Sequence, residues 1–111
     1  MLVEISTDTR VSVDISDVTA KLASALSRYQ SRLTRVEAHL SDVNGPKSGP
    51  DARCTLEARA AGLQPVAVTS DAHTPDEAVK GAVEKMDRLL ESALDRLNDA
   101  NRHASASGLP T

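Results

Sequence analysis

The spacing of apolar residues changes along the chain, and the order of these changes is the strongest constraint on its fold. Four segments alternate apolar and polar residues, as strands do when they bury one face. These predicted strands are 2–6, 35–40, 52–60 and 65–72. In two further segments, 16–33 and 75–98, apolar residues recur every three or four positions, as on an amphipathic helix. The predicted order is therefore strand, helix, three strands, helix.

The predicted second helix has the clearest start signal in the chain. Thr74 suits the N-cap, Pro75 the first helical position and Glu77 the third position of a capping box. The first predicted helix has Asp14 and Ser16 near its start, and both are side chains that commonly cap helices. Local sequence and apolar spacing therefore agree on where both helices begin.

These elements favour one arrangement of the chain. Both helices have a single apolar face, so the economical solution is a four-stranded mixed sheet with both helices packed on one side. The first strand-helix-strand unit is expected to be a right-handed parallel crossover, followed by antiparallel neighbours. We predict one α+β domain, β-α-β-β-β-α, over residues 1–100, and a disordered Ser- and Ala-rich tail over 101–111. The Gly- and Pro-rich segment 41–50 is predicted to be a flexible loop.

The composition limits the core and the cellular setting. Tyr29 is the only aromatic residue, so the core must be built mainly from aliphatic side chains. Cys54 is the only cysteine, which excludes an internal disulfide and suits a reducing compartment. No apolar stretch approaches the roughly 20 residues of a membrane span, and the N-terminus lacks a secretory pattern. We expect a cytoplasmic protein without a membrane partner.

Metal binding is not indicated by the sequence. His39, His73 and His103 fall in three different segments. The alternation turns Cys54 toward the core and His39 toward solvent, so these two cannot share a metal ion. We interpret Cys54 as a buried inert thiol and expect no metal and no cofactor.

The sequence also lacks the residue patterns of a phosphate-binding loop, a nucleophilic serine and an RNA-stacking surface. Residues 45–48 resemble a phosphate loop only faintly, because the Lys is misplaced and a strand follows instead of a helix. No Gly-x-Ser-x-Gly elbow is present. Stacking of RNA bases needs exposed aromatic side chains, and Tyr29 lies on an apolar stripe. We therefore expect a protein that is not an enzyme and has no small-molecule substrate.

A basic stripe is the one feature that suggests a binding partner. On a helical wheel, Lys21, Arg28 and Arg32 lie within about forty degrees of one another, and Arg35 follows. The second helix adds further cations, interleaved with acidic residues: Lys80, Lys85 and Arg88. Because the net charge is −3, the residue pattern by itself favours the interpretation that these cations are solubilising surface charge. The alternative interpretation is a patch that contacts phosphates.

Four stretches, taken in order, resemble the hibernation-promoting factor and ribosome-associated inhibitor A family. They are VEAHLSD at 36–42, RCTLEAR at 53–59, PVAVT at 65–69 and EAVKGAVEKMDRLL at 77–90. The likeness spans residues 1–98 and is closest to a short form without a C-terminal dimerisation domain. The resemblance implies a protein that binds the small ribosomal subunit near the decoding centre and blocks messenger and transfer RNA during stress.

The resemblance also implies that basic residues contact ribosomal RNA. By position and charge, this role falls on Lys21, Arg28, Arg32, Arg35, Lys80, Lys85 and Arg88. The chain departs from the more basic family members, since it has 16 acidic residues against 13 Lys and Arg. An alternative therefore stays open: a divergent, non-enzymatic interaction or oligomerisation module of the same fold, for example a homodimer, that no longer binds RNA.

Overall fold

The computed structural model describes residues 1–8, 11–43 and 51–107, with residues 100–107 described as backbone only. The α+β order β-α-β-β-β-α is confirmed, with a short 3₁₀ turn (Ser27–Tyr29) after the first helix. The strands are β1 (Leu2–Thr7), β2 (Leu33–Asp42), β3 (Ala52–Ala60) and β4 (Val66–Ala72). The helices are α1 (Ile15–Ala25) and α2 (Pro75–Ser107).

The four strands form one mixed sheet in the order β1-β2-β3-β4. β1 and β2 pair in parallel, as predicted, with Val3 opposite Val36. The other neighbours are antiparallel. Both helices pack on the face toward which the apolar side chains of the strands point, and the opposite face stays open.

The core consists almost entirely of aliphatic side chains, as the composition requires. Its largest fully buried members are Leu22, Leu26, Leu40, Leu56, Met86, Leu90, Val18, Val36 and Cys54. Tyr29 is also buried, as predicted, although it lies in the 3₁₀ turn and not in α1. Burial raises the pKa of the Cys54 thiol to about 11, so the thiol stays protonated and inert at neutral pH.

The first helix is shorter than predicted. α1 ends at Ala25, the chain passes through the 3₁₀ turn, and β2 already begins at Leu33. The prediction of one helix over 16–33 is therefore wrong at its C-terminal end. Leu26, Tyr29 and Leu33 are all buried. They are spaced like the apolar residues of a helix, but only Leu26 lies next to α1.

A β-bulge at Thr34 explains why Leu33 reaches the core. Leu33 pairs with Ala60 and Arg35 pairs with Arg59, which leaves Thr34 as an extra residue in β2. Its hydroxyl donates to the Arg59 carbonyl at 3.1 Å. An extra residue shifts the alternation of side chains, so Leu33 and Val36 both point inward although they are three positions apart.

The second helix starts where predicted and ends later. The backbone N–H of Glu77 donates to the Thr74 hydroxyl at 3.2 Å, which confirms the N-cap. α2 continues to Ser107 instead of ending near Asn98, because no Gly or Pro interrupts residues 82–107. Part of the predicted tail is therefore helical. Residues 108–111, and residues 44–50 of the predicted loop, lie outside the described part of the chain.

α2 lies unusually close to β4 at one point. A Cβ atom on Gly81 would collide with the hydroxyl of Ser70, which is itself buried. Glycine therefore serves here to bring the helix backbone near the sheet. None of the helices described in the chain is long and apolar enough to cross a membrane.

Candidate nucleic-acid interface

The predicted basic stripe lies along α2, not on an isolated helical surface. We call this contact the interhelical seam. On one side are three cations, Lys21, Arg28 and Arg32, and on the other are four residues of α2, Asp76, Asp87, Glu91 and Asn98. The prediction that the three cations share one helix is wrong, because Arg28 lies in the 3₁₀ turn and Arg32 follows it. They are nevertheless brought onto one edge of the molecule.

Lys21 stands between two carboxylates. Its Nζ lies 2.9 Å from Oδ2 of Asp17, one turn earlier, and 3.7 Å from Oδ1 of Asp76 at the start of α2. The hydrogen bond and charge of Asp17, together with the charge of Asp76, raise the pKa of Lys21 above its ordinary value. Lys21 also lines a cleft of about 350 Å³ between the helices, whose rim includes Lys80.

Arg28 makes the densest contacts in the seam. Its guanidinium lies over the ring of Tyr29, 4.6 Å from the ring centroid. Its Nε is 3.6 Å from Oδ1 of Asp87, and its Nη2 is 3.7 Å from Oε2 of Glu91. A cation–π contact and two ion pairs therefore hold the same side chain.

Arg32 meets a neutral partner farther along α2. Its Nη1 donates to the side-chain oxygen of Asn98 at 3.2 Å. The three contacts follow the direction of α2 from its first turn to Asn98, so the seam runs along most of the described helix.

The buried residue Tyr29 is hydrogen-bonded to one member of the interhelical seam, Asp87. Its hydroxyl donates to Asp87, 2.9 Å from Oδ1 and 3.0 Å from the backbone oxygen. Burial, and then the carboxylate of Asp87, raise the pKa of Tyr29 above its ordinary value. The neutral phenol is therefore favoured in the folded state.

This raised pKa can be measured directly, because Tyr29 is the only aromatic residue. We expect the tyrosinate absorbance of the native protein to titrate above the unfolded value of about 10. The contribution of Tyr29 to stability is then fully present below pH about 10 and is lost as pH rises through the folded pKa. In Asp87→Asn the midpoint should fall but stay above that of the urea-unfolded chain, since burial remains. Equal midpoints for the native and unfolded wild-type protein would contradict the buried hydroxyl.

Arg35 lies apart from the seam. Its guanidinium pairs with Glu4 at 2.7 Å and with Glu37 at 2.6 Å, across the open face of the sheet. The structure therefore separates Arg35 from the other predicted cations by the full thickness of the sheet. Like Lys21 and Arg28, it has two carboxylate partners, which reduce the availability of its charge.

The cations of α2 are in a different situation. Lys85 donates from Nζ to the backbone oxygen of Thr69 at 2.7 Å. Within the described part of the chain, Lys80 and Arg88 make no ion pair, and both are exposed. They are the predicted site residues with the most freely available charge.

Arg96 is a further exposed cation that the sequence reasoning missed. It has no ion pair with a described residue. It follows Lys85 by eleven residues, close to three helical turns, so the two lie on the same side of α2. That spacing was available in the sequence and could have identified Arg96.

The open face of the sheet has a different charge pattern. Glu4, Glu37 and Glu57 lie side by side in register across three strands. Arg35 bonds the first two, and Arg59 Nε lies 3.0 Å from the third. A row of carboxylates repels phosphate, so this face is a poor surface for nucleic acid.

A shallow depression on the same face contains a hydrogen-bonded Ser-His pair. Ser6 Oγ and His39 Nδ1 are 2.8 Å apart. A catalytic triad also needs a group that orients the second imidazole nitrogen, and no such hydrogen bond occurs among the described residues. Those residues also contain no group of three or more His, Cys, Asp or Glu placed to hold a metal ion.

Comparison with known proteins identifies the family. The family model described as Sigma 54 modulation protein / S30EA ribosomal protein matches residues 4–98. The chain belongs to this family. The match covers the sheet except the first two residues of β1, and α2 through Asn98, and it confirms the resemblance found in the sequence.

Solved structures of this fold agree. The N-terminal domain of Protein Y from Thermus thermophilus matches with a TM-score of 0.64 and 20% identity, over 83% of this chain and 98% of that one. A ribosomal subunit interface protein from Coxiella burnetii matches with a TM-score of 0.61 and 14% identity, over 83% and 96%. At such identities, the likeness establishes the shared fold. A comparison with curated protein sequences finds no significant match.

Proposed function

We propose that the protein is a ribosome-associated factor that binds the small ribosomal subunit through its RNA. In this role it inhibits translation and promotes ribosome hibernation under stress. The observation that carries the proposal is the family match over residues 4–98, because this family is described as containing a ribosomal protein. The proposal further places the protein in the cytoplasm, acting by binding and without a cofactor.

The distribution of charge suggests which surface meets RNA. Phosphate contacts need accessible Lys and Arg side chains, and the helical side of the molecule has most of them. We propose that the interface is centred on Lys80 and Arg88, which have no described ion pair, with Lys21 across the cleft. The remaining predicted contacts are Arg28, Arg32, Lys85 and, on the opposite face, Arg35.

Removing the two unpaired cations tests this interface. The double variant Lys80→Gln with Arg88→Gln is expected to co-sediment less with purified small subunits, because two phosphate contacts are lost. The log-log dependence of its binding constant on salt should be less steep by about 1.4 to 1.8, from 0.7 to 0.9 per contact. Sedimentation over a series of salt concentrations provides both quantities.

A matched control comes from the open face of the sheet. Arg53→Gln with Arg59→Gln removes the same two charges, but both side chains are paired, with Asp71 and Glu57. We expect this variant to keep the salt dependence of the wild type. Equal losses in both double variants would show a response to net charge alone and would count against an interface on α2.

The seam favours a second candidate function. Because Asp76, Asp87 and Glu91 neutralise cations that phosphate would need, the protein could instead be an interaction or oligomerisation module that no longer binds RNA. That function predicts no association with small subunits at low salt. It also predicts a stable homodimer in size-exclusion chromatography with light scattering, whereas a monomer that sediments with subunits supports the first function.

A further inference from the structure

The ion pairs of the seam are exposed and can exchange partners. The side chains of Lys21 and Arg28 are 53% and 54% exposed, and their three partners on α2 are between 37% and 67% exposed. Pairs of this kind are weak and screened by salt. A phosphate can therefore displace the carboxylates, but it must compete with them.

We propose that Asp76, Asp87 and Glu91 are specificity-determining residues that compete with RNA phosphates for Lys21 and Arg28. The inference rests on the proposed function and concerns the selectivity of the same surface. A phosphate that approaches either cation also approaches a carboxylate held within 3.7 Å of it. Like-charge repulsion of this kind is a common way to reject unsuitable partners.

The free cations of α2 determine which RNA can overcome this competition. An RNA surface that also reaches Lys80 and Arg88 gains contacts that do not have to replace a described ion pair. An RNA that meets only the seam gains little, since each new pair replaces an existing one. The seam therefore weakens binding to arbitrary RNA more than binding to a surface shaped to reach both sets of cations.

Two triple variants with equal charge separate this effect from net charge. The seam variant is Asp76→Asn, Asp87→Asn and Glu91→Gln. The control variant is Glu77→Gln, Glu84→Gln and Asp95→Asn, three exposed acids of the same helix without a described ion pair. Each variant moves the net charge from −3 to 0. Each also removes one acid from the first turn of α2, so the change in helix-dipole stabilisation is matched.

Binding is measured for the full chain with two probes, purified small subunits and an RNA duplex of unrelated sequence. The seam variant is expected to bind the unrelated duplex about tenfold more tightly than the wild type, a sum of several weak pairs. Its affinity for subunits should rise less, so selectivity falls. The control variant is expected to change both affinities by about twofold or less, and equally. Thermal melting checks that both variants remain folded.

The possible failures are distinguishable. If the wild type binds subunits and both triple variants tighten on the duplex to the same extent, the inference is overturned and the proposed function stands. If neither the wild type nor any variant binds subunits at low salt, the proposed function fails, and the role of the acids in ribosome selectivity fails with it.

Discussion

Replacing Leu22 with alanine is expected to lower the free energy of unfolding by about 2 to 5 kcal/mol, the usual cost of emptying a fully buried leucine site. α1 has only 11 residues, and helices that short are marginal without tertiary packing. Its buried side chains are Val18 and Leu22, so the substitution removes half of its anchorage. Urea denaturation followed by circular dichroism measures the change.

Ile15 on the same helix provides the control. Its side chain is a similar large aliphatic group, but the residue is 43% exposed. Ile15→Ala should alter the free energy of unfolding by no more than about 0.5 kcal/mol, as is usual for surface positions. Similar losses at Leu22 and Ile15 would mean that α1 does not dock on the sheet through the face described.

Replacing Gly81 with valine is expected to destabilise the protein by about 1 to 3 kcal/mol, although most residues favour a helix more than glycine does. The reason is steric, since even a Cβ atom would meet the Ser70 hydroxyl, and valine adds two further carbons. The helix must then move away from β4 or force Ser70 out of position. Thermal and urea unfolding measure the cost.

Two further substitutions test the steric cause. Ser92→Val places the same side chain on an exposed position of α2 and should have little effect. Ser70→Ala removes the hydroxyl that Gly81 faces, so it should recover part of the loss in a Ser70→Ala and Gly81→Val double variant. A Gly81→Val protein as stable as the wild type would show that the helix lies farther from β4 than described.

Much of the fold was predictable because the decisive signals are local. Alternation located β3 at its observed bounds, and the cap at Thr74 located the start of α2. The end of α1 was not predictable in this way. The bulge at Thr34 gives Leu33 the spacing of a helical residue, and a bulge is defined by pairing with β3, which the local pattern does not contain.

The candidate site was predictable in its cations but not in their environment. Helical spacing identified Lys21 and Arg28 as neighbours on one surface. Apart from Asp17, one turn before Lys21, their acidic partners lie on α2, far away in the sequence; Tyr29, which is next to Arg28, and Asp87 are 58 positions apart. Because tertiary packing alone brings such groups together, a helical wheel shows a free basic stripe where the folded protein has a row of ion pairs.

The contact between Lys85 and Thr69 also bears on how the protein behaves at high concentration. Ala72 directs its carbonyl toward Asp51, and carbonyls alternate along a strand, so the Thr69 carbonyl points away from β3 to the outer side of the sheet. An uncovered strand edge is a template on which another chain can add a strand and aggregate. The ammonium group of Lys85 covers one of these acceptors and places a charge beside β4. Besides any role toward RNA, we therefore expect this side chain to hinder association of two molecules through the β4 edge.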